Sequence, residues 1–435
     1  MRYPSAASGP LREPFVGGGA LPLPKTGLVE VTVDGEIVVY DPEADLLHHL
    51  DRSASTVWSR LDGNVTAEAL GERIAAHLRA PAMTVRRDIL DLTLQLWERG
   101  LLRGSTAHAT ASQPLGLGLE SQPLDSPRGD LRLDGQSLPD APYRTGCFRA
   151  LEHVFEVATN DVAVRDFLEE VLVDLTDTGN GKRERHELLH IPDAPHGERF
   201  RVLHNGELVR ATDWLDRAIA VLLWKINAEV VRQSTQRYPL VHAAAAVSDG
   251  VAVLLPAPAE SGKTTTVAGL VRAGFGYLTD EAVAIHPDTL LAQPYPKALS
   301  VDRGSWEVLA DLRPQHHDRV AGQWHVPARL IRSGAVAGPA PIRFVVAPAY
   351  RLGSTTELEP ISRGDMLMRL ADSTFRLQDD AQRNLAVLAR VVTRADCYRL
   401  TVGDLDHAIG FIEELVRSEQ LDVSEREPPF AQRRH

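Results

Sequence analysis

Cysteine is nearly missing from this chain: Cys147 and Cys397 are the only two in 435 residues. Two thiols so far apart build neither a disulfide framework nor a cysteine-based zinc cluster, and they suit a reducing cytoplasm, the expected location. Long apolar runs are missing too. No segment approaches the ~20 apolar residues that a spanning helix requires, so no membrane is expected as a partner. Residues 1–26 are rich in Gly, Pro and Ala without an apolar core segment, so they are expected to be disordered and not a signal peptide. Positive charge is in deficit, with 47 Lys and Arg against 59 Asp and Glu and a net charge of −12. With no sustained basic stripe, the chain is not expected to bind nucleic acid through its phosphates. Lysine is scarce beside arginine. What remains is a globular composition, 43% hydrophobic, long enough for two or three domains.

The most informative segment is Val251-Ala252-Val253-Leu254-Leu255-Pro256, followed by Ala257 to Thr266 and then VAGLV. It reads as a buried strand, a tight loop and a helix that opens on Lys263-Thr264. A helix N-terminus has unpaired N–H groups and partial positive charge, so it suits phosphate. In such a loop Glu260, Ser261, Gly262, Lys263, Thr264 and Thr265 would line a nucleotide, with Lys263 on the outer phosphates and the Thr264 hydroxyl on Mg²⁺. The loop departs from the usual G-x-x-x-x-G-K-T pattern twice. Ala257 stands at the first glycine, which requires an ordinary φ there. Glu260 puts a negative charge inside the loop, where it must turn outward to avoid repelling a polyphosphate.

Ahead of this segment lies a separate small module. Val29, Val31 and Val33 alternate with polar residues, Asp34-Gly35 signals a hairpin, and Ile37 to Tyr40 returns. Leu46-Leu47 follows as a further short apolar piece. Three helices are expected next. The first carries Val57, Trp58 and Leu61 and stops at Asp62-Gly63. The second starts from a Thr66 cap, carries Leu70, Ile74 and Leu78, and closes at Pro81. The third begins near Thr84, places Val85, Ile89, Leu92 and Leu96 on one face, and ends at Gly100. A small sheet beside three helices is a winged-helix-like arrangement. As a DNA-binding winged helix it would need a basic last helix, but Asp88, Asp91 and Glu98 offset Arg86, Arg87 and Arg99.

The DG hairpin, HHLDRSASTVWSRLDG, TAEALGERIAAHL and DILDLTLQLWERGLL together resemble the PqqD-type peptide-recognition domain of pathways that modify ribosomally made peptides. The resemblance implies a domain over 27–104 that takes a precursor's leader peptide as an added strand on the small sheet, with apolar contacts from the third helix. Physically that is β-augmentation. It also implies other peptide-modifying enzymes as partners. Residues 105–140 are rich in Ser, Pro, Gly and Gln and read as a linker. Residues 141–420 then alternate apolar strand and helix pieces, ending in an amphipathic helix near Asp404, and 421–435 are expected to be a disordered tail. The fold class expected is α/β and α+β, a winged-helix-like module joined by a linker to a P-loop α/β domain.

LVHAAAAV, VLLPAPAESGKTTTVAGLVRAGFGYLTDEAVAI and PYPKALSVDRGSW, within 238–306, resemble the catalytic domain of HPr kinase/phosphorylase and its kinase-like relatives. The resemblance implies ATP and Mg²⁺ as cofactors and permits a homo-oligomer. Position by position, His242 matches the histidine before the phosphate loop, Lys263 and Thr264 the phosphate and metal residues, and Asp280 the first of two adjacent acids, the base for a substrate serine. Glu281 stands at the second, metal-assisting acid. Glu260 replaces a small residue of the family loop, and Lys297, Arg303 and Arg369 are the candidate cations for gripping the acceptor. The chemistry is coherent without the family, because phosphoryl transfer needs charge neutralisation and alignment, and an acid at a strand end can take a hydroxyl proton. Asp280-Glu281 could equally turn one strand into the next, and His242 could be a satisfied core histidine.

His186-Glu187-Leu188-Leu189-His190 satisfies the H-E-x-x-H zinc pattern, which needs a helix. The Gly179-Asn180-Gly181 turn upstream and Pro192 downstream leave little room for one, and a short strand suits the segment as well. The pairs His48-His49 and His316-His317 lack further ligands at metal spacing. The expected function is an ATP-dependent kinase of a Ser or Thr hydroxyl on a ribosomal precursor peptide. The alternatives are an inactive chaperone that presents that peptide, favoured by Ala257 and Glu260, and a kinase of a phosphocarrier-type protein.

Overall fold

The computed structural model describes residues 19–104, 138–179, 181–258, 261–320 and 322–426. Glu260, the stretch 105–137 and the ends 1–18 and 427–435 lie outside the described residues, and with them most of the expected linker and parts of both expected disordered ends. The described chain forms two compact units.

The first unit opens with β1 (Val29–Val33), β2 (Glu36–Asp41) and β3 (Leu46–Leu50) as an antiparallel sheet in that order. Asp34 and Gly35 both have positive φ, 50° and 83°, the two-residue turn that matches the twist of its strands. Three helices follow, α1 (Arg52–Trp58), α2 (Ala67–Leu78) and α3 (Ala82–Glu98). Thr66 caps α2 by accepting from Ala69 N. Three boundaries differ from expectation. Leu61 lies beyond the end of α1 yet is buried. A left-handed Arg79 ends α2, and Pro81, instead of closing that helix, is the residue from which α3 starts. Its fixed φ and missing N–H suit a helix start.

The expectation of disorder over 1–26 fails for residues 19–26. Leu21 N donates to Val65 O (2.7 Å), Lys25 N to Leu101 O (2.8 Å), and Leu21 is buried among Val57, Trp58, Leu70 and Leu102. Composition hides this because a few residues suffice to anchor a strand-like segment once a groove exists.

The second unit starts with β4 (Tyr143–Arg144), β5 (Phe148–Ala150), β6 (His153–Thr159), helix α4 (Val162–Val171), β7 (Glu184–His190), β8 (Phe200–His204) and β9 (Glu207–Thr212). These strands form one sheet, against which α4 and α5 (Leu215–Ser234) bury Phe167, Leu168, Ile219, Leu222 and Val230. The H-E-x-x-H segment is β7. Its two histidines share a strand face about 13 Å apart, at the ~3.3 Å rise of a strand, too far for one metal.

The main sheet is built from β10 (Leu240–Ser248), β11 (Val251–Pro256), β12 (Gly276–Thr279), β13 (Ala282–Ile285) and β14 (Leu291–Gln293), with β17 (Ala340–Tyr350), β18 (Glu357–Pro360) and β19 (Asp396–Val402). β11, β17 and β19 run parallel, so their carboxyl ends share one edge of the sheet, where open α/β sheets place their ligands. Helix α6 (Lys263–Arg272) leaves that edge and packs its Val267, Leu270 and Val271 on the sheet. The pair β15 (Leu299–Asp302) and β16 (Gln323–Val326) stands beside it, followed by α7 (Ala328–Ile331), α8 (Arg363–Asp372), α9 (Ala381–Arg394) and α10 (Leu405–Arg426). Asp404 caps α10 through His407 N (2.9 Å). The expected tail from 421 is helical through Arg426. SEQLDVSERE is made largely of residues a helix accepts, and Pro428 is the first breaker.

Candidate active site

Gly262 adopts φ 90° and lets the chain turn from the loop into α6, a conformation that strains any residue with a Cβ. Among the described residues no side chain caps this helix and the buried Ser261 hydroxyl has no partner. An uncapped helix start with an orphaned hydroxyl fits a phosphate in chemistry and charge. Ala257 is absent from the positive-φ residues, so its place at the first glycine costs no strain. Lys263 is buried and donates back to Ala257 O (2.6 Å) and Pro258 O (2.7 Å). Burial lowers its pKa to about 8, against the opposing pull of Glu281 and Asp280.

β12 and β13 both pair with β10, Thr279 opposite Ala245 and Ala282 opposite His242. Asp280 and Glu281 fill the step between them, and the Thr279 hydroxyl accepts from Glu281 N (3.1 Å) to shape it. The acid pair therefore does turn one strand into the next, and in doing so it aims Asp280 at α6. Asp280 Oδ2 accepts from the Thr264 hydroxyl (3.3 Å) and Ser300 N (2.9 Å); Oδ1 accepts from the Tyr277 hydroxyl (3.0 Å) and lies 2.9 Å from Lys297 Nζ. Burial pushes this carboxyl up, but Lys297, the Ser300 amide and Tyr277 outweigh it and hold the pKa below the usual carboxylate value. For Lys297 burial works downward and is overcome by Asp280 and Glu281, so the ammonium stays charged.

His242 N donates to Ser373 O (2.7 Å) and its Nδ1 to Glu281 O (3.0 Å), which leaves Nε2 as the acceptor nitrogen of a neutral ring. Burial first, then Lys263, depresses its pKa. The structure thus brings His242, Lys263, Thr264, Asp280 and Glu281 together. Thr265 instead bonds the Ser305 hydroxyl (2.6 Å), and Ala257 enters through its carbonyl alone. The Thr264 hydroxyl against the Asp280 carboxylate, with Glu281 next in the chain, is a hard-oxygen donor set that fits Mg²⁺. Ser300 and Ser305 carry no local sequence signal, because each reaches the site across the fold, whereas Tyr277 stands only three residues before Asp280 on β12. Lys297, a candidate cation for the acceptor and with Lys263 one of only five lysines, instead lies against Asp280. The other candidate cations differ, with Arg303 lying over the Trp306 ring and Arg369 exposed on α8.

Comparison with known proteins matches residues 36–102 to the family of coenzyme PQQ synthesis protein D (PqqD). The first unit is therefore a PqqD-like module. Among solved structures, TbiB1 in complex with the TbiA(beta) leader peptide is 27% identical over 19% of this chain and 95% of that chain, with a TM-score of 0.18. The Hpr(Ser) kinase/phosphatase from Coxiella burnetii is 15% identical over 42% of this chain and 98% of that chain, with a TM-score of 0.24. No curated protein matches. Among the described residues no helix is long and apolar enough to cross a membrane.

Proposed function

We propose that the chain is an ATP- and Mg²⁺-dependent kinase that phosphorylates a Ser or Thr hydroxyl on a ribosomally made precursor peptide held by its PqqD-like module. The observation that carries this reading is the convergence of Lys263, Thr264 and Asp280 at the uncapped start of α6, with Thr264 Oγ1 3.3 Å from Asp280 Oδ2. The N–H groups of Gly262 to Thr265 and the Lys263 ammonium would hold the phosphates, and Thr264 with the acid pair the metal. Bound ATP with Mg²⁺ supplies the phosphoryl group and the charge neutralisation that its transfer requires. Asp280, ionised and anchored by Tyr277 and Ser300, accepts the acceptor's proton. His242 braces Glu281 through its main-chain carbonyl.

The peptide reading rests on the match over 36–102. β3 is an edge strand, paired on one side to β2, and offers its other side to an added strand. Incubation of the protein with ATP, Mg²⁺ and a candidate precursor should add the mass of one phosphate to the peptide. A peptide that binds tightly and gains no mass defeats the kinase reading and leaves a presenting chaperone.

A further inference from the structure

Asp280 has no free lone pair. A carboxylate offers about four acceptor sites, and Tyr277, Lys297, Ser300 N and Thr264 fill them. Neither an acceptor hydroxyl nor a divalent ion can bind it until one donor leaves. Tyr277 cannot leave easily: its ring is fully buried, and the single hydroxyl proton it gives to Asp280 has Lys297 O, also 3.0 Å away, as its alternative acceptor. The Ser300 donor is a main-chain amide in the β15–β16 ladder. Thr264 belongs to the first turn of α6. Lys297 differs from all three. Its charge sits on a flexible stem, and it already has other partners in Ser300 Oγ (2.9 Å) and Ala298 O (3.2 Å). Its ammonium also lies 3.6 Å from Glu281 Oε2, so one cation bridges both acids. A positive charge lying against both carboxylates occupies the place that a divalent ion bridging them would take.

We infer that Lys297 is a tethered stand-in cation that closes the Asp280–Glu281 pair and must swing off Asp280 Oδ1 before the pair can ligate a divalent ion or take a proton. The inference deepens the kinase reading and rests on it for the identity of the acceptor. Lys297 is a positioning residue in this scheme. It offsets the charge of buried Asp280 and half-buried Glu281 while the site waits, and its withdrawal onto Ser300 Oγ and Ala298 O couples metal entry to release of the base.

The test is Mn²⁺ binding to the full chain without nucleotide, followed by electron paramagnetic resonance, because it does not depend on turnover. Lys297→Met removes the competing charge and should tighten Mn²⁺ binding by about tenfold or more, whereas Lys297→Arg should leave it within about twofold. Lys297→Met should also melt lower than the unaltered protein without metal and recover with millimolar Mg²⁺. Should it not fold, Lys297→Gln keeps a donor for Asp280 while losing the charge, and the same tightening is expected. Unchanged or weaker Mn²⁺ binding in the folded neutral variant overturns the inference. The two readings fail separately. Tightened Mn²⁺ binding with no phosphate on any peptide would retire the kinase and keep Lys297's role; phosphate transfer with unchanged Mn²⁺ affinity would do the reverse.

Discussion

Lys263 spends two of its three donors on main-chain carbonyls and is held at a pKa of about 8 by burial. It is therefore only part charged at pH 8 until phosphate arrives. A polyphosphate favours the charged form, so its pKa should rise on nucleotide binding and the protein should take up a fraction of a proton near pH 8. Calorimetry in buffers of different ionisation enthalpy reads that uptake directly, and Lys263→Ala should abolish it. The same substitution should weaken nucleotide binding at least tenfold, since a charge-assisted bond contributes ~1.5–3 kcal/mol. Asp280→Asn should behave differently. It keeps the shape but cannot accept a proton, so nucleotide binding should persist while transfer falls by ~10²-fold or more. Normal turnover by Asp280→Asn would remove it from the role of base.

At the scale of elements, β6, β7 and α5 share a buried polar chain that the proposed chemistry does not use. Gln233 on α5 donates to His153 Nδ1 (3.0 Å), so His153 Nε2 donates to His186 Nε2 (3.1 Å), and among the described residues His186 Nδ1 has no partner. Burial lowers the pKa of His153 to about 4 and of His186 to about 2. Unfolded, both would titrate near 6.5. Between pH 6.5 and 4 the unfolded chain therefore binds protons that the native fold refuses, so stability falls as pH falls through that window, by on the order of 3 kcal/mol for His153. Melting temperatures over pH 7 to 4.5 should show this loss, and His153→Gln should shrink it. The neighbouring Glu184, His204 and Glu229 lie close enough to suggest a metal, but Lys225 (2.5 Å) and Arg232 (2.6 Å) already neutralise Glu229. A second element depends on one missing side chain. A Cβ at Gly269 on α6 would meet Ile409 Cδ1 of α10 at 2.9 Å. Gly269→Val should push α10 away and lower the melting temperature, as over-packing costs ~1–3 kcal/mol.

For the molecule as a whole, the proposal ties a peptide grip to a transfer site through a stretch whose composition is that of a linker. Deleting residues 19–104 should weaken the apparent affinity for a full precursor and leave the rate on a leaderless core peptide nearly unchanged. Adding the excised module back at micromolar concentration should restore little, because covalent linkage holds two sites at an effective concentration nearer ~1 mM. A leader carrying proline in its pairing segment should lose capture, since proline removes a ladder hydrogen bond. Equal rates on full and leaderless peptides would separate the module from catalysis.

The elements whose signals are local could be read from the chain: the Asp34-Gly35 hairpin, the Thr66 cap, and the strand, loop and helix around Lys263. Turn chemistry, capping and hydrophobic period act over a few residues, so a linear chain displays them. The same is true of the match over 36–102, which follows the module's periodic core. Other features were decided only by folding. Residues 19–26 look unstructured because their partners Val65 and Leu101 stand far along the chain. His186 and His190 match a zinc pattern that the upstream turn and Pro192 already disfavour, and the pairing of β7 with β6 and β8 then spreads the two histidines along a strand. Asp280, Thr264 and the candidate cation Lys297 could be named from the chain, but not that Thr264, Tyr277, Lys297 and the Ser300 amide all meet on one carboxylate, because α6, β12 and the segment leading into β15 converge there only in the fold. The chain thus set which residues can bind a phosphate or take a proton. Burial and long-range pairing decided which carboxylate stays ionised and which cation guards it, because the dielectric and the neighbouring charges that tune each group exist only once the sheet is assembled.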